Sequence, residues 1–132
     1  MSLRAKLLAL AVCSLATAAF AGPAQKPVVD HYTAGAGGAA SAERGRAFFT
    51  ATHTGGKPDT PTCTACHGTD LKAAGKTRAG KPIDPMAVSA NPRRLTDLAE
   101  TEKWFGRNCD SVLGRACTPA EKADVVAYLN GL

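Results

Sequence analysis

Two cysteines separated by two residues and followed at once by a histidine, Cys63-Thr64-Ala65-Cys66-His67, constrain this chain more than any other feature. Thiols at this spacing can add across the two vinyl groups of a haem, and the adjacent imidazole then lies where it can ligate the iron from one side. A prosthetic group attached this way becomes part of the core, so the fold must be one that encloses a flat macrocycle. Two other chemistries use a C-x-x-C pair. A structural zinc site needs a second pair of ligands at similar spacing, and a redox dithiol expects a βαβ setting. The sequence offers neither. One covalent haem c is therefore the expected cofactor, with Cys63 and Cys66 as its thioether attachments and His67 as the proximal iron ligand.

The N-terminus has the form of an export signal. Arg4 and Lys6 precede an apolar run over 7–19 that is short for a membrane-spanning helix, and Ala19-Phe20-Ala21 is a small-x-small cleavage pattern. Residues 1–21 are read as a signal peptide, which places the remainder in the periplasm as a soluble protein. Cys13 lies inside the apolar run after Val12 rather than after a small residue, which argues against a lipid anchor. Those 21 residues hold two of the 16 basic side chains and none of the 11 acidic ones, so the rest of the chain carries +3. That mild charge, without a clustered basic face, excludes nucleic acid as the expected partner. A single small domain is expected, since about a hundred residues do not hold two cores.

Two cysteines outside the haem motif remain after cleavage, Cys109 and Cys117. In an oxidising compartment their pairing is the economical reading, with two free buried thiols as the alternative. A bridge closing so short a loop would stabilise the fold by about 2–3 kcal/mol on the chain-entropy account.

Breakers and caps divide the chain further. Residues 22–40, rich in Gly, Ala and Pro, read as a flexible arm with a short turn over 28–32, and the domain proper is expected over 41–132. A helix is predicted from Ser41 through Phe49, with Gly45 and Phe49 on one face. Residues 54–61 form a loop punctuated by Gly55-Gly56 and two prolines, and residues 68–92 a second loop, wrapped around the haem edge. Thr96 is predicted to cap a helix through Trp104 and Phe105, with Asp97 and Glu100 in its early turns. Thr118-Pro119-Ala120-Glu121 is a capping box that opens the last helix, where Val125, Val126 and Leu129 recur at helical spacing. The expected fold class is all-α, with no strand alternation.

A glycine and an aromatic on the first helix, the haem motif, and a final helix ending in Ala127-Tyr128-Leu129 together resemble the class I cytochrome c fold. In that family the first and last helices cross at a small residue, which the resemblance places at Gly45, against Tyr128 or Leu129. The second axial ligand is open on the residues alone. Met86, His31, His53, Asn91, Asn108 or a lysine could reach iron. Met86 follows His67 by only 19 positions, and the later place usual for a ligating methionine holds Arg107-Asn108-Cys109. The two histidines read as solvated surface residues.

A narrower resemblance bears on this choice. Ala42-Glu43-Arg44-Gly45-Arg46-Ala47, Thr54-Gly55-Gly56-Lys57-Pro58-Asp59-Thr60-Pro61, Glu102-Lys103-Trp104-Phe105-Gly106-Arg107-Asn108-Cys109 and Gly114-Arg115-Ala116-Cys117-Thr118-Pro119 resemble the sphaeroides haem protein family, asparagine-ligated, oxygen-binding monohaem cytochromes. The resemblance implies Asn108 as the distal iron ligand, His67 as the proximal one, and a Cys109–Cys117 disulfide. It assigns no ligand role to Met86, which then reads as an apolar residue lining the pocket. It further implies electron supply from a dihaem cytochrome c and a membrane b-type cytochrome. A carboxamide oxygen is a hard, weak donor that holds ferric iron and competes poorly for ferrous iron, so reduction would free the site for a diatomic ligand such as O2 or NO. Two other functions use the same motif: electron transfer with His67 and Met86 as ligands and no substrate, and gas sensing or scavenging without turnover. No catalytic residue is assigned. Arg78, Arg93 and Arg94 are candidate partners of the haem propionates, and Trp104 is a candidate for packing on the haem.

Overall fold

The computed structural model describes residues 22–132, and the expected signal peptide lies outside the described residues. The chain forms α1 (Lys26–Gly35), α2 (Ala42–Thr50), a single turn α3 (Thr64–His67), a two-residue hairpin of β1 (Gly75–Lys76) and β2 (Pro82–Ile83), α4 (Leu98–Leu113) and α5 (Pro119–Asn130). The fold is all-α, with the hairpin as a small addition that the sequence did not announce; it pairs Gly75 with Ile83 and Lys76 with Pro82 inside the long 68–92 loop.

Helix starts follow their caps. The Ser41 hydroxyl accepts from the Arg44 amide at 3.2 Å and opens α2. At α5 the Thr118 hydroxyl accepts from the Glu121 amide (3.2 Å) while the Glu121 carboxylate accepts from the Thr118 amide (2.8 Å), with a proline in the first turn. Both starts match the sequence reading. The start of α4 differs by one residue. Asp97, not Thr96, is its cap and accepts from the Glu100 amide at 2.9 Å, while the Thr96 hydroxyl donates to the Arg93 carbonyl. A full negative charge at the positive end of the helix dipole is the better cap. The helix then runs on past Phe105 through Asn108 and Cys109, and ends at Gly114 in the left-handed conformation.

Residues 22–40, expected as a flexible arm, contain α1 instead. Val28 and Tyr32, four apart and so on one helix face, are buried. The Gln25 side-chain amide ties the start of the helix to the Pro92 and Arg94 carbonyls, at 2.7 and 3.1 Å. The glycines that suggested looseness lie at the end of the helix, Gly35, and just after it, Gly37 and Gly38.

α5 is the hub of the helix packing, with α2 on one side and α1 on another. α2 crosses it at Gly45: a Cβ there would overlap the Asp124 carbonyl and meet Tyr128 Cβ at 3.0 Å. The small residue is required, and its partner is the backbone of Asp124 as well as Tyr128. Buried Asp124 accepts at the same crossing from the Ser41 amide (2.7 Å) and from Arg44 Nε and Nη2 (2.7 and 2.8 Å). The main core joins Tyr32, Phe49, Leu71, Leu95, Val126 and Leu129; a smaller cluster of Val112 and Leu113 surrounds the Cys109–Cys117 disulfide.

Two stability outcomes are expected. Gly45→Ala should lower the unfolding free energy in denaturant by about 1–3 kcal/mol through overpacking at the crossing. Gly106→Ala, on α4 where a Cβ meets nothing within 4 Å, should raise it by about 0.5–1 kcal/mol. Second, the Arg115 guanidinium, at 2.8 Å, holds the Glu121 carboxyl at about 2, below the ordinary 4.5. A carboxyl depressed in the folded state stabilises it above the unfolded value and ceases to as pH falls toward the folded one. The stability gap between wild type and Glu121→Gln should therefore be full above pH ~5 and close between about 4.5 and 2.

Candidate functional site

A large cavity lies between the α2–α5 pair and α4, and the haem motif opens onto it. The segment before the motif is positioned by the Thr62 hydroxyl, which meets the Thr64 amide and hydroxyl at 3.3 and 3.0 Å. α3 is short, but it carries Cys63 at its cap and Cys66 and His67 within its turn, and all three line the cavity. Neither cysteine forms a disulfide. Burial pushes the Cys63 thiol up to about 11. His67 is held down to about 4, chiefly by burial and secondarily by the Arg94 charge, so its imidazole is neutral, the form that donates a lone pair to a metal. Its Nδ1 is buried without a hydrogen-bond partner.

The wall opposite α4 is apolar and aromatic, from Phe48 and Phe49 of α2 and Val125 and Leu129 of α5. On the α4 side the lining residues recur at helical spacing: Thr101, Trp104, Phe105, Asn108, Ser111 and Val112. Asn108 is thus delivered to the cavity from mid-helix. It caps nothing, since the helix continues to Leu113. Among the described residues its carboxamide has no protein hydrogen-bond partner. The next residue, Cys109, is bridged to Cys117 with their Cα atoms 5.5 Å apart.

Of the residues considered for the second axial position, Met86 and Asn108 both line the cavity. Met86 is held by its amide, which donates to the Leu71 carbonyl at 2.9 Å. The others lie elsewhere. His53 donates to the Phe48 carbonyl at 2.8 Å and packs on the Phe48 ring, His31 packs edge-on against Tyr32, and Asn91 reaches the Pro85 carbonyl. Arg93 and Arg94 line the cavity, whereas Arg78 pairs with Asp59. Trp104 lines it too, but its indole N–H is already donated to Glu100, with Lys103 and Arg107 each 5.4 Å from the ring centroid.

Thr60 and Ser111 are lining residues that the sequence reading passed over. Their hydroxyls lie 3.0 Å apart at the cavity wall. Ser111 was legible as the residue three after Asn108, hence on the same helix face; Thr60 was not, because its contact spans 51 positions. The Gly55-Gly56 pair also gains a reason. A Cβ on Gly56 would overlap the Ser111 carbonyl and the Val112 backbone, and Gly55, at φ 98°, lies against the Leu113 carbonyl.

These residues fit a covalently attached haem. Two cysteines outside any disulfide flank one turn, a neutral buried imidazole follows them, the walls are largely apolar, and two arginines at the cavity suit anionic propionates. Cys63 and Cys66 would hold the macrocycle and His67 would ligate iron, while Asn108 and Met86, the two candidates for the second axial position that line the cavity, would be available on its wall.

Residues 35–129 match a family described as a domain of unknown function (DUF1924). The chain is 62% identical to the cytochrome c-type protein SHP of Cereibacter sphaeroides over 107 residues, 81% of each protein. It is 40% identical to cytochrome c'' of Methylophilus methylotrophus over 68 residues, 51% of this chain and 47% of that protein. The structure of oxidized SHP, described as an oxygen-binding cytochrome c, superposes with a TM-score of 0.77 at 60% identity, covering 80% of this chain and 94% of that one. Oxidized cytochrome c'' superposes at 0.64 with 33% identity, covering 80% and 92%. The chain therefore belongs to the DUF1924 family and to the group of c-type cytochromes around SHP, and its cofactor is one covalent haem c.

Proposed function

We propose that the protein is an exported monohaem cytochrome that accepts electrons and binds a diatomic ligand, O2 or NO, at the ferrous haem once Asn108 is displaced. Residues 1–21 direct it to the periplasm, and the working domain is 41–132 with α1 docked against it. Among the described residues no helix is long and apolar enough to cross a membrane. The electron donors in this reading are redox proteins, a dihaem cytochrome c and a membrane b-type cytochrome. Support comes from the likeness to SHP and, most directly, from Asn108 itself: a carboxamide set mid-helix, facing the cavity that holds His67, without a capping role or a protein partner.

The haem supplies an iron that cycles between ferric and ferrous and binds diatomic molecules when ferrous and open. Asn108 supplies a neutral oxygen donor that suits the harder ferric ion and yields more readily when iron is ferrous. His67, kept neutral, is the constant ligand. The disulfide at Cys109 restrains the helix beside Asn108, so displacement falls to rotation of the side chain. The apolar walls exclude water and favour uncharged ligands over anions.

Met86 carries a competing reading of the axial ligand, because it lines the same cavity. A thioether ligand would close the ferrous iron and leave a carrier that only passes electrons.

Two measurements test the assignment. Acidic organic extraction should leave the chromophore on the polypeptide, and Cys63→Ala with Cys66→Ala should release it; haem extracted freely from wild type would refute covalent attachment. Ferrous wild type should be high-spin and bind CO, and Asn108→Ala should change the ferric spectrum to that of a water-ligated or open site, while Met86→Leu leaves it nearly unchanged. A far-red sulfur band that disappears on Met86→Leu would instead establish the electron carrier.

A further inference from the structure

Ser111 stands one turn beyond Asn108 on α4 and lines the same cavity. Residues three apart on a helix are neighbours, their Cβ atoms roughly 5–6 Å apart, a gap that a carboxamide and a hydroxyl can close. What Ser111 Oγ can offer follows from counting protons and lone pairs. Thr60 Oγ1 lies 3.2 Å from the Ser111 carbonyl and 3.0 Å from Ser111 Oγ, and Thr60 is only 6% exposed. A hydroxyl has one proton and two lone pairs, and either hydroxyl can be the donor in the contact between them. Whichever of the two donates, Ser111 Oγ keeps at least one lone pair. The carboxamide of Asn108, a double N–H donor without a protein partner among the described residues, sits one turn away.

We propose that Ser111 Oγ, oriented by Thr60, is the acceptor on which the Asn108 carboxamide docks when it leaves the iron. This deepens the reading above and rests on Asn108 as the distal ligand. A carboxamide released toward largely apolar walls with no acceptor would keep its donors unpaired, which favours its return to the iron. An acceptor already fixed in place lowers that penalty, so Ser111 and Thr60 act as positioning residues that set how easily the distal place opens. Neither touches the iron. The Lys57 amide, which donates to the Ser111 carbonyl at 2.7 Å, holds the same turn in place.

The test is CO affinity of the ferrous holoprotein, measured in a mutant cycle. Ser111→Ala should weaken CO binding about fivefold, the worth of one ordinary hydrogen bond, and Ser111→Thr, which keeps the hydroxyl, should restore it. Thr60→Val should weaken it in the same direction by less. In an Asn108→Ala background, Ser111→Ala should have no effect, because no carboxamide is left to dock. An effect that persists undiminished in that background overturns the proposal, since Ser111 would then act on the fold or on the bound gas directly. Affinity within twofold of wild type for both Ser111→Ala and Thr60→Val also overturns it. Ferrous wild type that takes up no CO removes the proposal together with the Asn108 reading beneath it, whereas CO binding with a silent Ser111 removes the proposal alone.

Discussion

The close crossing of α2 over α5 is the contact on which the rest of the molecule depends. The missing side chain at Gly45 brings α2 onto the Asp124 carbonyl, and the ion pair of Asp124 with Arg44, joined by the Ser41 amide, locks the crossing at its edge. Burial of a carboxylate is tolerable only with such partners; here the Arg44 guanidinium holds it below the ordinary carboxylate range. Once the two helices are fixed, Phe49, Val125 and Leu129 present a continuous apolar wall, and α1 finds a complementary face on α5. The cavity is the space this pair leaves for α4 to face.

Across that cavity the chemistry is unevenly distributed. The haem motif contributes thiols and a neutral imidazole from a single turn, α2 and α5 contribute hydrocarbon, and most of the uncharged polar groups come from α4 and the chain leading into the motif: Thr101, Asn108 and Ser111 with Thr60 and Thr62. Charge enters from Arg93 and Arg94 and from Asp97 and Glu100 at the start of α4, and Arg94 is the one that bears on His67. Its guanidinium donates to the Asp84 and Pro85 carbonyls at 2.6 and 2.9 Å, and burial lowers its pKa while it lowers that of His67. A fixed positive charge near the site favours the reduced state of any metal held there, so Arg94 joins the 84–94 loop to the electrostatics of the pocket.

Much of this was legible in the sequence because it is local. The Thr118 capping box, the Ser41 cap, the Gly45–Phe49 face and the haem motif are decided within a few residues, and each is found where the pattern places it. The pairing of Cys109 with Cys117 was legible from their number and compartment. What escaped was non-local. α1 lacks a strong cap and lies in Gly- and Ala-rich sequence, so its stability comes from Val28 and Tyr32 meeting α5, which periodicity over ten residues does not reveal. The Tyr32 hydroxyl, buried without a hydrogen-bond partner beside the Glu102 carboxylate, has its pKa raised first by that burial. Asn108 could be named by resemblance, but that it caps nothing needed the true end of α4 at Gly114.

The glycine-paired loop reaches further than its role in packing. The Gly56 backbone lies against α4, Lys57 and Thr60 bond to Ser111, and the attachment motif starts three residues after Thr60. The polypeptide between the haem motif and α4 is therefore a very short arm: the segment leading into Cys63 is tied by the Lys57 amide, the Thr60 hydroxyl and the close approach of Gly56 to the turn of α4 that follows Asn108. It acts as a calliper whose two jaws, the haem motif and the Asn108 turn, are carried by one continuous piece of chain, so a change in the 54–61 loop displaces both together.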